Sequence, residues 1–94
     1  MKLPDFLQGT ELRQGDMLRL QDHMANWMTA HAYIRTLEPN ERGLKELRLM
    51  LLHEIQSGRR LHMLQRLRAR FNSLRIKHED KQIFTIAQYH RRGG

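Results

Sequence analysis

The sequence predicts an all-α fold: a compact three-helix bundle, or a helical hairpin with an N-terminal helix laid on it, ending in a basic C-terminal tail. Three observations lead there. Apolar residues recur at spacings of three and four in three successive stretches, the period of one face of a helix. Pro39 and the pair Ser57-Gly58 separate those stretches, and these residue types end helices. The length of 94 residues fits a single domain, because a core of this size buries only about two-thirds of the surface that the unfolded chain exposes.

Residues 1–10 are expected to form an extended leader ending near Gly9-Thr10. The first helix is expected over residues 16–37, with Asp16 as its N-cap. Within it Met17, Leu20, Met24, Trp27, His31 and Ile34 share one stripe. The second helix is expected over residues 41–56, capped by Asn40, with Leu44, Leu47, Leu51 and Ile55 on one face. Met50 and Leu52 widen that face, so this helix should touch two neighbours and form the centre of the core. Gly43 weakens its first turn, and Gly58 supplies a residue that tolerates the left-handed conformation after its end. The third helix is expected over residues 60–78, with Leu64, Leu67, Phe71 and Leu74 at its core and Leu61 alongside. Residues 79–94 read as a short helix or tail, and His90-Arg91-Arg92-Gly93-Gly94 as a basic end that is disordered in isolation.

Composition narrows the function. The chain has no cysteine, which removes disulfides, thiolate metal sites and cysteine nucleophiles and leaves a cytoplasmic location as the expectation. Residues 1–7 have no apolar run suited to a signal peptide, and no stretch approaches the roughly 20 apolar residues of a membrane span. The formal charge of +7 is uneven: residues 1–40 carry net −1 and residues 41–94 carry net +8. An acidic partner should therefore meet the C-terminal half.

The candidate site lies on the third helix. Between Arg59 and Lys77 stand seven basic residues and no acid, so ordinary intrahelical neutralisation is missing. Arg59, Arg66, Arg70 and Lys77 fall nearly on one line beside the apolar stripe, and Arg68 and Arg75 border its other side; Arg60 adds to the group at the start of the helix. Opposite the core lie Gln65, Ala69, Asn72 and Ile76. Arg, Asn and Gln can make bidentate bonds to base edges while flanking arginines neutralise phosphates. The expected function is thus a non-catalytic nucleic-acid-binding module, with duplex DNA favoured and Arg91 and Arg92 as a supplementary phosphate clamp. Scarce exposed aromatics speak against single-strand binding; Tyr89 is the one aromatic placed near the basic surface. The plain alternative is an ordinary basic surface helix.

A helix, a glycine break and a second basic helix share an outline with helix-turn-helix proteins, but Glu54 and Ser57 stand where a tight turn takes a small and an apolar residue, so no family follows. A rival reading is a small basic adaptor or inhibitor, of the size and composition seen in phage and plasmid accessory proteins, that docks on an acidic or nucleic-acid-binding surface of a larger protein complex. Met24, Trp27, Met28 and Tyr33 offer a possible protein-gripping surface, with core packing the simpler role, and the heptads allow a homodimer. The six histidines are scattered, with no i,i+4 pair for a metal, and His31 reads as a hydrogen-bonded, partly buried side chain. No Gly-rich phosphate loop or nucleophile with its base is present, so neither an enzyme nor a cofactor is expected.

Overall fold

The structure, a computed structural model, describes the backbone of residues 3–93 and the side chains of residues 3–83. After a single 3₁₀ turn at Asp5–Leu7 come four helices: α1 (Gln14–Leu20), α2 (Trp27–Ile34), α3 (Glu41–Ser57) and α4 (Leu61–Gly93). Every regular element among the described residues is helical, as the periodicity requires. Helices α3 and α4 make the principal contact, folded back on each other by the short link between them, and α1 also packs on α3. At about 1.5 Å per residue, the 33 residues of α4 account for the 52 Å long dimension of the molecule.

Helix α3 is the centre. It begins where Asn40 Oδ1 accepts a 2.8 Å hydrogen bond from the Gly43 amide. Gly43 is needed for close approach, since a Cβ there would lie 2.0 Å from the Glu38 carbonyl oxygen. Leu44, Leu47, Leu49, Met50, Leu51 and Leu52 are all buried, which a helix covered on one side alone would not permit. Around them pack Leu20, Met24, Ala30 and Ile34 from the first part of the chain and Met63, Leu67 and Phe71 from α4.

Several sequence expectations are corrected. The leader is not simply extended: the Asp5–Leu7 turn buries Leu7 and lays Phe6 against Phe71 at 4.9 Å between ring centroids. Helix α1 starts at Gln14, so Asp16 sits in its first turn and accepts from the Arg13 amide at 3.1 Å. The single helix expected over residues 16–37 is two helices. Asn26 starts α2 by accepting from the Thr29 amide at 3.0 Å, and its own amide donates to Thr29 Oγ1 at 3.3 Å. This reciprocal cap interrupts the backbone, while the apolar stripe runs on because Met24 still donates to the Leu20 carbonyl at 2.9 Å in helical fashion.

On α4 the core face is centred differently from expectation: Leu61 is 69% exposed and Met63 is 0% exposed. The helix also runs past residue 78 through Gly93 in place of a short helix or disordered tail. No proline or glycine stands between residues 61 and 92, and Glu79 continues the helix by pairing with Arg75 at 3.1 Å across one turn.

One interaction joins all these parts. The Glu54 side chain is 0% exposed and pairs with Arg60. Glu54 Oε1 accepts from Arg60 Nη2 at 2.6 Å, and Oε2 accepts from both Nε and the backbone amide of Arg60 at 3.0 Å. The same guanidinium reaches across to donate to the Met24 carbonyl at 2.7 Å and the Ala25 carbonyl at 3.1 Å, in the turn before α2. Gly58 makes room for the carboxylate, since a Cβ there would lie 1.9 Å from Glu54 Oε2. The left-handed residue of this link is Arg59, with φ of 53°, and not Gly58.

Arg60→Ala strands the fully buried Glu54 carboxylate and should cost roughly 3–5 kcal/mol in urea unfolding; Glu54→Ala should cost less, because Arg60 is about one-third exposed and can turn to water, and Leu61→Ala should stay within about 0.5 kcal/mol. Burial pushes the Glu54 carboxyl up, but the Arg60 side-chain and backbone hydrogen bonds outweigh it and hold the carboxyl below the ordinary range. Glu46, also pushed up by burial, is held low by hydrogen bonds from Arg19 and Tyr33. A carboxyl whose folded value is depressed stabilises the fold above its unfolded value and loses that contribution as pH falls through the folded one. Thermal midpoints should therefore be level near neutrality and fall below about pH 4. Glu54→Gln should flatten that acid limb in part and Glu54→Gln with Glu46→Gln should flatten it further.

Candidate nucleic-acid interface

Helix α4 owes its existence to strong helix formers between residues 61 and 78 and to one apolar stripe. With Met63, Leu67 and Phe71 facing α3, the 3.6-residue period sends the arginines to the two edges and Gln65, Ala69 and Ile76 outward, all three exposed; Asn72 is half-buried.

The structure divides the predicted basic set by what each side chain touches. Arg60 is withdrawn from it: as the partner of a buried carboxylate and two carbonyls, it serves the fold and not an external anion. Arg75 is neutralised by Glu79, an acid just beyond the stretch that the sequence marks as acid-free. Arg59 lies at the end of α3, where its Nε donates to the Ile55 carbonyl at 3.2 Å and its charge faces the negative end of the helix dipole. Lys77 is exposed. The side chains of Arg91, Arg92 and Tyr89 lie outside the described residues.

Arg66, Arg68 and Arg70 share a different environment. The Arg66 guanidinium lies over the Trp27 ring at 5.2 Å, and Arg68 lies over Phe6 at 4.2 Å. Arg70 Nη2 contacts His31 Nε2 at 2.8 Å. Among the described residues none of the three pairs with a carboxylate. Stacking restrains a guanidinium while leaving its charge and its N–H edges available. Arg66 and Arg70 stand on the α2 side of α4, and Arg68 stands on the side of the N-terminal turn.

Sequence reasoning missed the partners on α2. Trp27 and His31 lie on the expected apolar stripe but at its edge, half-buried, with their rings 5.3 Å apart. They form one wall of an open cleft of about 490 Å³ whose other wall is Arg66, Ala69, Arg70 and Ser73. The signal was a matched spacing, since Trp27 and His31 are four residues apart and so are Arg66 and Arg70. The protein-gripping surface considered for Met24, Trp27, Met28 and Tyr33 does not form as one patch. Met24 is buried, Met28 is 82% exposed, and Tyr33 donates to Glu46, which also takes a bidentate bond from Arg19 at 2.5 and 2.8 Å.

A broader trough runs between α1, α3 and α4, but it mixes Arg13, Arg42, Lys45 and Arg48 with Asp16, Glu38 and Glu41, so no single charge sign selects a ligand there. Among the described residues no three histidine, aspartate or glutamate side chains gather as a metal site, and no helix is long and apolar enough to cross a membrane. Compared with protein-family models, curated proteins and solved structures, the chain matches none.

Because Arg66 lies over Trp27 and Arg70 contacts His31 Nε2 at the edge of the core, Arg66→Ala and Arg70→Ala should each cost no more than about 1 kcal/mol in urea unfolding. Each variant should keep the wild-type circular dichroism spectrum.

Proposed function

We propose that this protein is a non-catalytic nucleic-acid-binding module of the cytoplasm that docks duplex DNA on the outward half of α4. One observation carries the reading: neither α2 nor residues 61–78 of α4 contains an aspartate or glutamate, and aromatic and imidazole partners on α2 hold Arg66 and Arg70, and Phe6 of the N-terminal turn holds Arg68, without neutralising them. Such a surface attracts a polyanion by releasing its condensed counterions. An α-helix fits the major groove. With α4 there, Gln65 and Asn72 face base edges, Arg66 and Arg70 meet phosphates of one strand, and Arg68 meets the other.

Duplex is favoured over single strand because the aromatic rings beside these arginines are already occupied. Trp27 is flanked by Arg66 and His31, and Phe6 by Arg68 and Phe71. Unstacked bases need free aromatic faces. A second reading, a basic adaptor that docks on an acidic protein surface, draws support from Leu61, Ile76 and Ile83, which are 69%, 50% and 65% exposed.

Titration of a labelled duplex at several salt concentrations tests the proposal. Replacing Arg66 and Arg70 together by alanine should weaken binding and lower the slope of log affinity against log salt by about one unit per lost phosphate contact. Gln65→Ala and Asn72→Ala should change preference among sequences with little change in that slope. Absence of duplex affinity at low salt would transfer the surface to the protein-docking reading.

A further inference from the structure

We propose that the cleft between α2 and α4 is a seat for a single phosphate group, held by Arg66 and Arg70. It rests on the nucleic-acid reading only for the source of the phosphate.

The cleft is built from two pairs of residues, each pair one helical turn apart. Arg66 faces Trp27, and Arg70 faces His31. Between the arginines and Ser73 stands Ala69, whose short side chain leaves the floor open. Arg66 and Arg70 are the charged groups that α4 brings to the cleft, and α2 lines it with His31 and Trp27. A tetrahedral anion with several acceptor oxygens suits this donor set: two guanidinium forks and the Ser73 hydroxyl supply hydrogen bonds in different directions. A carboxylate has only two oxygens in one plane to offer them.

Arg70 and His31 meet across the cleft. A guanidinium only donates, so His31 Nε2 at 2.8 Å must be the acceptor, which makes the imidazole neutral with its proton on Nδ1. This is a neutral acceptor for a charged donor, and a phosphate oxygen is the stronger one. When phosphate enters, Arg70 turns its N–H to the anion.

Trp27 is the only tryptophan of the chain and lies under Arg66, so its emission reports on the cleft directly. The full chain is titrated with sodium phosphate and with sodium sulfate, a tetrahedral dianion that does not titrate near neutrality, against sodium chloride at equal ionic strength. A duplex without terminal phosphates is titrated in parallel, with its own label read by anisotropy. Expected is a saturating Trp27 response to phosphate and sulfate that chloride does not produce. Arg70→Ala should abolish the response. Gln65→Ala, on the outward face, should leave it unchanged. A response equal to that of chloride, or one that survives Arg70→Ala in a protein shown by circular dichroism to be folded, overturns the seat. Duplex binding without any Trp27 change rejects the seat and leaves the nucleic-acid reading standing. A Trp27 response to phosphate with no duplex affinity supports the seat and assigns it to a free phosphate or phosphomonoester.

Discussion

The fold depends on a carboxylate that has no access to water. Placing Glu54 at 0% exposure costs several kcal/mol in lost hydration, and the position is tenable only because Arg60 meets both oxygens and its own backbone amide adds a third bond. Geometry makes this pairing consequential. Glu54 belongs to the last turn of α3 and Arg60 immediately precedes α4, so the bond fixes how α4 leaves the link. The remaining donors of Arg60 hold the carbonyls of Met24 and Ala25, carbonyls that the break between α1 and α2 has released from helical bonding. A single guanidinium therefore sets the position of α2 relative to α4. The cleft between those helices, with Trp27 and His31 opposite Arg66 and Arg70, exists because of it.

The basic residues of α4 and its approach thus divide by partner. Where the partner is a carboxylate, as for Arg60 and Arg75, charge is cancelled and the side chain acts within the protein. Where the partner is a ring, as for Arg66, Arg68 and Arg70, the side chain is restrained and the charge remains. The second arrangement loses side-chain entropy during folding and not during binding, which favours affinity. It also explains why a count of arginines in a helix is a poor guide to a binding surface.

The periodic core could be read in the sequence because it depends on local spacing. The central role of α3 and the packing of Leu67 and Phe71 follow from the three-and-four rhythm alone. What escaped depends on contacts or on short-range chemistry that periodicity does not register. The stripe from Met17 to Ile34 passes through the break at Asn26 without a slip, so only the cap formed by Asn26 and Thr29 marked two helices. The turn at Asp5–Leu7 is too short to show a period. The edges of the arginine surface were legible from the helical wheel, whereas the withdrawal of Arg60 was not, because its partner lies six residues back across a link whose course the pairing itself determines. Trp27 and His31 were placed on the right stripe, but a wheel cannot tell its centre from its rim.

An acid-free surface has a cost that bears on function. Three arginines near one another on α4 repel at low ionic strength, and the helix that carries them is held against that repulsion by its core stripe and by the Glu54/Arg60 pair. A bound polyanion removes the repulsion, and by linkage any ligand that prefers the folded chain stabilises it in return. The stripe from Met63 to Phe71 that secures α4 to α3 also determines the angle at which its arginines stand. On the proposed binding role, loosening the core weakens polyanion binding without a change at the arginines themselves, and the Glu54/Arg60 pair that orders the link contributes to that role although neither of its members faces the surface.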